Sequence, residues 1–403
     1  MVTAVAPTQT LTFSRTIAAP IEQVYQSFVN RDDICDWLCY NALMTPEVGE
    51  YLFINWYDRG AVGQTHAYGV FTALDENTRV AFTWHDTVYA GETHVDFTLE
   101  PDDAGILLTL NHSGFDESTP VEIIQHYNTL WENRLDQLKS ILEVGGPTDI
   151  INRVIIGIIP GQGIPEHLNV AVDDGVHVST VLPDFSAAGA GMQVDDVIVS
   201  VNGHAVTSGS TIHEAVGDLK PGDTVDVAWY RGETKHTAAM ELRGYPVPPI
   251  PEQWEEMAVR FIDRHHTLDN LLDEALAGYD DSLADFRLSE EQRTIPQTLA
   301  HIILMQRHTL QYFASYAHGP RIITPFSSNT PWIDAVVGSH TSVDALRAEI
   351  RRVGDEIVSV IRQFPPTLLE RKNYPWWMNF EVHFQIIQFE RDAAHIKQTV
   401  AAA

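Results

Sequence analysis

The chain carries two cysteines, Cys35 and Cys39, spaced four apart in a stretch predicted to be helical. Such a pair can be oxidised or can take up a soft metal. No histidine or further cysteine stands nearby, however, and two thiolates fall short of a zinc set. A disulfide framework cannot be built from one pair, and reduced thiols fit a cytosolic setting. No catalytic set assembles from the sequence, so the elements that could position binding surfaces carry the reading.

At 403 residues the length allows two to four domains, and 44% apolar residues suffices for several cores. The 55 acidic against 25 basic residues give a formal charge of −30, spread rather than blocked. That charge repels phosphate backbones and anionic lipid, so neither nucleic acid nor a membrane is expected as a partner. The start, Met1 to Thr10, has no basic region followed by an apolar core, and no later window is apolar for 18 residues. A cytoplasmic location is expected.

Gly145-Gly146-Pro147 and the run Pro246, Pro248, Pro249, Pro251 divide the chain into segments 1–145, 150–245 and 252–403. The expectation is a multidomain α+β protein whose proline run is a semi-rigid spacer, giving a fixed reach rather than a fixed interface. In the first segment a strand (Leu11 to Ile17) meets a proline-started helix (Pro20 to Phe28). Alternating runs follow at Val48 to Tyr57, His66 to Leu74, Val80 to Trp84, Thr93 to Leu99 and Ile106 to Leu110. A long helix closes it, with Thr119-Pro120-Val121-Glu122 reading as a capping box and a stripe from Ile124 to Leu142. With Tyr68-Gly69-Val70-Phe71, Phe82-Thr83-Trp84 and His112-Ser113-Gly114-Phe115, this segment resembles the START-like (SRPBCC) superfamily, in the branch of homologues of the heat-shock ATPase activator. The resemblance implies a helix-grip sheet under a long C-terminal helix. It also implies a cavity for a small apolar ligand lined by Trp37, Trp56, Trp84 and Trp131. Core filling by the same tryptophans is the competing reading.

In the second segment Asp174-Gly175-Val176, Ser186-Ala187-Ala188-Gly189-Ala190-Gly191-Met192, Asp195 to Gly203 and Leu219-Lys220-Pro221-Gly222-Asp223 resemble a PDZ domain, a β-barrel or sandwich, of the type attached to HtrA proteases. Asn202-Gly203 supplies a hairpin turn. Ser186 stands where proline is usual and Asp195 where glycine is usual. The resemblance implies a groove that accepts protein C-termini, its carboxylate loop at Ile156-Gly157-Ile158, with Gly161-Gln162-Gly163 as a competing loop. An empty spacer is the alternative. A protease reading fails, because the first 145 residues supply neither the length of two barrels nor a Gly-flanked serine nucleophile.

The last segment is helical. Stripes in Trp254 to Ala277, Pro296 to Tyr316, Ser342 to Arg362 and Asn379 to Ala401 predict an all-α four-helix bundle. Trp254, Ile295 to Ile303 and Phe389 to Gln398 resemble the DinB superfamily, which implies a divalent metal (Zn, Ni, Mn or Fe) held by histidines of the second and fourth helices. His301 and His395 match two of them. The third ligand position holds Arg391, whose guanidinium has no lone pair to give. His265 and Asp392 are alternative donors, while twelve residues of helix turn His383 away from His395. The expectation is therefore a degenerate metal site in a binding protein. A metal-dependent thiol transferase or hydrolase, and an adaptor in chaperone-ATPase activation or proteostasis, are the alternatives.

Overall fold

The computed structural model describes residues 8–57, 64–161, 163–165, 168–217, 219–244, 249–290, 292–318 and 328–403. Pro246 and Pro248 of the proline run, and Gln162 of the competing glycine loop, lie outside the described residues. The chain divides into two compact units, one from 1–147 with 248–403 and the other from 148–247.

The first part of the larger unit runs β1 (Thr8–Ile17), α1 (Ile21–Val29), α2 (Arg31–Trp37), β2 (Asn41–Met44), β3 (Tyr51–Tyr57), β4 (Gln64–Asp75), β5 (Arg79–Asp86), β6 (Thr93–Asp102), β7 (Gly105–Asp116) and α3 (Val121–Glu143). The seven strands form one antiparallel sheet in the order β1-β7-β6-β5-β4-β3-β2. Alternation puts Val95, Phe97 and Leu99 of β6 and Leu108 and Leu110 of β7 on the buried face. There they meet Tyr127, Trp131, Leu135 and Leu138 of α3 in one core, the helix-grip arrangement. Two local expectations are corrected. Strand β3 starts at Tyr51, because a turn from Glu47 to Glu50, with Gly49 at φ +94°, bends the chain before it. The capping box at Thr119 does not form. Pro120 takes the N-cap position, which leaves the Thr119 hydroxyl one residue too early to reach the first-turn amides, and it is buried without a hydrogen-bond partner among the described residues.

The smaller unit runs α4 (Thr148–Ile151), β8 (Val154–Ile155), β9 (Ile158–Pro160), β10 (Val176–Val181), α5 (Ser186–Gly189), β11 (Val197–Val201), β12 (His204–Ala205), α6 (Gly209–Val216), β13 (Thr224–Arg231), β14 (Thr234–Glu241) and β15 (Arg243–Gly244). Its main sheet has the order β14-β13-β11-β10-β9, with β12 on β11, while β15 pairs β8. Asn202 and Gly203, at φ 49° and 77°, make the turn between β11 and β12. Asp195 also adopts a left-handed φ of 71°, and its carboxylate meets His177 Nε2 at 2.9 Å.

The rest of the larger unit is α7 (Trp254–Ala275), a 3-10 turn (Asp281–Leu283), α8 (Ile295–His318), α9 (Thr330–Gly338), α10 (Val343–Arg362), α11 (Thr367–Glu370) and α12 (Asn373–Ala402). Helices α7, α8, α10 and α12 make the bundle. Ser342 caps α10 by accepting from Ala345 N at 3.1 Å, and α12 begins at Asn373, ahead of the expected Asn379.

The two parts of the larger unit share a packed seam. Arg371 pairs with Asp33, Asn373 Nδ2 donates to Asp36, and Lys372 Nζ donates to the Glu143 carbonyl at 2.9 Å. Gly145 and Gly146 serve close approach: a Cβ on either would overlap the Lys372 backbone or the Trp376 indole. The segment expected to separate modules is thus a contact surface.

Candidate functional site

The aromatic core of the sheet comes first. Trp37, Trp84 and Trp131 are buried, Trp56 packs half-buried against them, and Trp84 lies 5.5 Å from Trp131 and 5.9 Å from Trp56, ring centre to ring centre. A chain of hydrogen bonds fixes their orientation. Trp131 Nε1 donates to His112 Nδ1 at 2.9 Å, which leaves the imidazole proton on Nε2 to donate to Thr93 Oγ1 at 2.8 Å. Thr93 then donates to the Trp84 carbonyl at 3.1 Å. Burial pushes the His112 pKa down to about 3, so the ring is neutral, as this chain requires. Asp86 closes the same end by accepting from Trp84 Nε1 at 2.7 Å and from the Tyr127 hydroxyl at 2.9 Å. Trp37, Trp84 and Trp131 are thus members of the packed core. Trp37 also forms part of a cavity of about 300 Å³ at the seam, with Leu138 and Ile141 beside it and Asp33, Asp36 and Arg371 at its polar rim.

In the smaller unit, Ile156-Gly157-Ile158 leads directly into β9, the end strand of its sheet, whose outer side is not occupied by a strand among the described residues. Gly157 has φ +92°, and a Cβ there would overlap Phe185, the residue that opens α5. The loop is held in place by Leu182 N donating to Gly157 O at 2.8 Å and Ala187 N to Ile156 O at 2.9 Å. Ile156 is buried in the core, whereas Ile158 is half-buried. Helix α6 starts beside the other end of β9, where Gly209 approaches Pro160. Ser208 caps it in a reciprocal box with Thr211. An edge strand preceded by a left-handed glycine and flanked by a helix can add an extended peptide to the sheet.

The bundle holds a polar layer that divides its core into two apolar clusters, one around Leu299, Ile302 and Phe389 and the other around Phe261, Ile357 and Met378. Arg264 falls inside the apolar stripe of α7, three after Phe261 and four before Leu268, and is only 1% exposed. Its Nη1 donates to Gln385, its Nη2 donates to His265 Nε2 at 2.8 Å, and its plane lies over the Phe261 ring at 4.4 Å. Gln385 passes the contact on to Thr309 and Glu381. Burial draws the Arg264 guanidinium down to about 9 and pushes the Glu381 carboxyl up. An arginine at a stripe position is the signal of this layer in the sequence.

Gln306 is 0% exposed, and neither amide atom has a hydrogen-bond partner among the described residues. Leaving such a group unsatisfied costs about 1–3 kcal/mol. Gln306→Leu, near in volume, is therefore expected to raise stability by about 1–2 kcal/mol, read as a higher urea midpoint with unchanged slope. A lower midpoint would show that the amide is engaged by a bound molecule.

The metal donors named from the sequence are only partly gathered. His301 Nε2 lies 3.8 Å from Asp392 Oδ2, both residues buried. Burial raises Asp392 to about 6 against the pull of Arg391 and Arg293. His395 Nε2 meets the Arg293 carbonyl at 2.9 Å and donates to it, and His265 is bonded to Arg264. Among the described residues no three His, Cys, Asp or Glu side chains converge, so the donor set does not fit a cation at protein-ligand distances.

The folds and sites together define a chain of three modules: a helix-grip domain, a PDZ domain and a DinB-like helical bundle. Family models match in that order, the Activator of Hsp90 ATPase homolog 1-like protein over residues 18–143, the PDZ domain over 166–242 and the DinB superfamily over 264–390. Among curated proteins, the chain is 33% identical over 72 residues to serine endoprotease DegS of Escherichia coli (strain K12), covering 18% of this chain and 20% of that protein. A probable periplasmic serine endoprotease DegP-like of Halomonas elongata is 38% identical over 72 residues, 18% of this chain and 15% of that protein. The chain thus spans a fifth or less of the length of these two relatives. Among solved structures, a Chromobacterium violaceum protein is 22% identical over 33% of this chain and 97% of its own, with TM-score 0.30. The Aha1 dimer from Colwellia psychrerythraea is 25% identical over 34% and 98%, with TM-score 0.29. No helix among the described residues is long and apolar enough to cross a membrane.

Proposed function

We propose that the protein is a multidomain binding protein whose PDZ module captures free protein C-termini. The observation that carries this reading is the outer side of β9, unoccupied by a strand among the described residues, directly after Gly157, which has a left-handed φ of +92° and no room for a Cβ against Phe185. Backbone groups of β9 take the peptide as an added strand, the amides of the Ile156-Gly157-Ile158 loop take its carboxylate, and α6 forms the second wall.

The test is a C-terminal peptide library screened against the full chain, followed by titration of the best peptide with its carboxylate free and amidated. Amidation is expected to weaken binding by roughly tenfold or more, since it removes a charge-assisted contact of about 1.5–3 kcal/mol. Equal affinity for both forms would reject the reading. Gly157→Ala is expected to abolish binding and to destabilise the smaller unit by about 1–3 kcal/mol, because an L side chain at that φ is strained and the Phe185 side chain already occupies the Cβ position. Thermal denaturation of the variant, run beside the titration, separates lost binding from lost folding.

A further inference from the structure

The two thiols remain unused by this reading, and the fold places them together. Cys35 lies on α2 and Cys39 two residues past its end, yet their sulfurs are 3.7 Å apart. Leu38 N donates to Ile34 O at 3.0 Å, so the helical turn runs on to the threshold of Cys39, and the Cys39 thiol itself points back at Ile34 O at 3.8 Å. Helical spacing over four residues puts the Cα atoms about 6 Å apart, inside the window of about 4.4–6.8 Å that a disulfide spans. Closing to a bond of about 2.05 Å shortens the sulfur separation by under about 2 Å and draws the two Cβ atoms together, which takes side-chain rotation with a small shift of the non-helical backbone at Cys39. The environments of the sulfurs differ. Cys35 is half-buried and open to a small oxidant, while Cys39 is 7% exposed in the core below α2.

We propose that Cys35 and Cys39 form a peroxide-responsive dithiol that closes to a disulfide across the end of α2. In the first step the Cys35 thiolate attacks one oxygen of hydrogen peroxide. The O–O bond breaks, hydroxide leaves and takes up a proton as water, and Cys35 becomes a sulfenic acid. In the second step Cys39 attacks Cys35 Sγ and gives up its proton, the S–O bond breaks, and the hydroxyl leaves with that proton as a second water. Two thiols and one peroxide thus give one disulfide and two waters. Burial holds the Cys39 thiol well above its ordinary range, so it stays protonated and inert toward peroxide, and its attack on the oxidised Cys35 requires loss of that proton in the same step. Cys35 stands between Asp33 and Asp36, the α2 residues that hold Arg371 and Asn373 of the bundle, so closure acts on the helix that carries the seam.

The experiment treats the full reduced chain with hydrogen peroxide, quenches, denatures, alkylates with iodoacetamide and measures intact mass and peptides. Expected are a 2 Da loss, a peptide cross-linked between positions 35 and 39, and alkylation of both cysteines reduced by roughly tenfold and restored by dithiothreitol. In Cys39→Ser the sulfenic acid at Cys35 is expected to persist and to be captured by dimedone, and Cys35→Ser is expected to show no 2 Da loss. Oxidation of Cys35 to sulfinic acid with Cys39 still fully alkylated, a disulfide between two chains, or no change in mass would each overturn the proposal.

Discussion

Trp131→Ala is expected to lower the unfolding free energy of the larger unit by about 4–5 kcal/mol, the upper range for removal of a large buried aromatic. Trp131 is 0% exposed and touches Trp84, Phe97 and His112, so the deletion opens a void that rings fixed by their own hydrogen bonds cannot close. A second cost adds to the first. His112 Nδ1 loses its donor, because the imidazole proton is committed on the other nitrogen to Thr93. Trp131→Phe separates the two: it refills most of the volume but leaves Nδ1 without its partner, for an expected loss of about 2–3 kcal/mol. Urea unfolding followed by far-ultraviolet circular dichroism measures both. A loss below about 1 kcal/mol for Trp131→Ala would mean that the indole lines an open space in which water or a ligand replaces it, as expected of a cavity wall.

Acid is expected to destabilise the larger unit steeply, and the sign follows from its buried histidines. His112 and His265 are each held neutral by burial, with pKa values pushed down to about 3, the latter also by the Arg264 charge. Above about pH 6.5 both folded and unfolded chains leave these rings neutral, so their contribution is fully present. As the pH falls below that value the unfolded chain takes up protons that the folded one refuses. Stability is then lost at about 1.4 kcal/mol per pH unit for each ring, down to about pH 3. Asp392 acts in the opposite direction. Its carboxyl, raised to about 6 by burial, takes up a proton in the folded chain before the unfolded chain does, and so returns about 1.4 kcal/mol per pH unit between about pH 6 and 4. For these three groups together the expected loss is about 1.4 kcal/mol per pH unit over that window. Asp392→Asn should steepen the slope and His112→Gln should flatten it, each by about 1.4 kcal/mol per pH unit, both read from urea midpoints at several pH values. An unchanged slope in His112→Gln would show that this ring is protonated in the folded chain.

These outcomes depend on contacts that differ in how legible they are along the chain. The order of the modules, the inward residues of β6 and β7, the stripe of α3 and the Asn202-Gly203 turn are all local patterns. Each depends on a period of two or 3.6 residues or on the φ a glycine tolerates, so reading neighbours along the chain suffices. The glycine before β9 is legible in the same way, because a left-handed φ is a property of one residue. The candidate sites are less so. The pattern marks Trp84 and Trp131 as inward, but it does not say that their spacing is closed by His112 and Thr93. It places His301 and His395 on two helices, but it does not say that His395 turns to the Arg293 carbonyl while Asp392 takes the place beside His301.

What the sequence determined by itself is which side of each element faces inward and which backbone positions bend. What only the tertiary structure decided is which distant atoms meet there. It set Arg264 among apolar neighbours with Gln385 as its acceptor, it turned Gly145 and Gly146 from a separator into a seam against Lys372 and Trp376, and it brought the Cys35 and Cys39 sulfurs within 3.7 Å. The physical reason is that hydrophobic burial is non-directional and repeats with the local period. Hydrogen bonds and close packing depend on separations of a few tenths of an ångström, set only when all elements have docked.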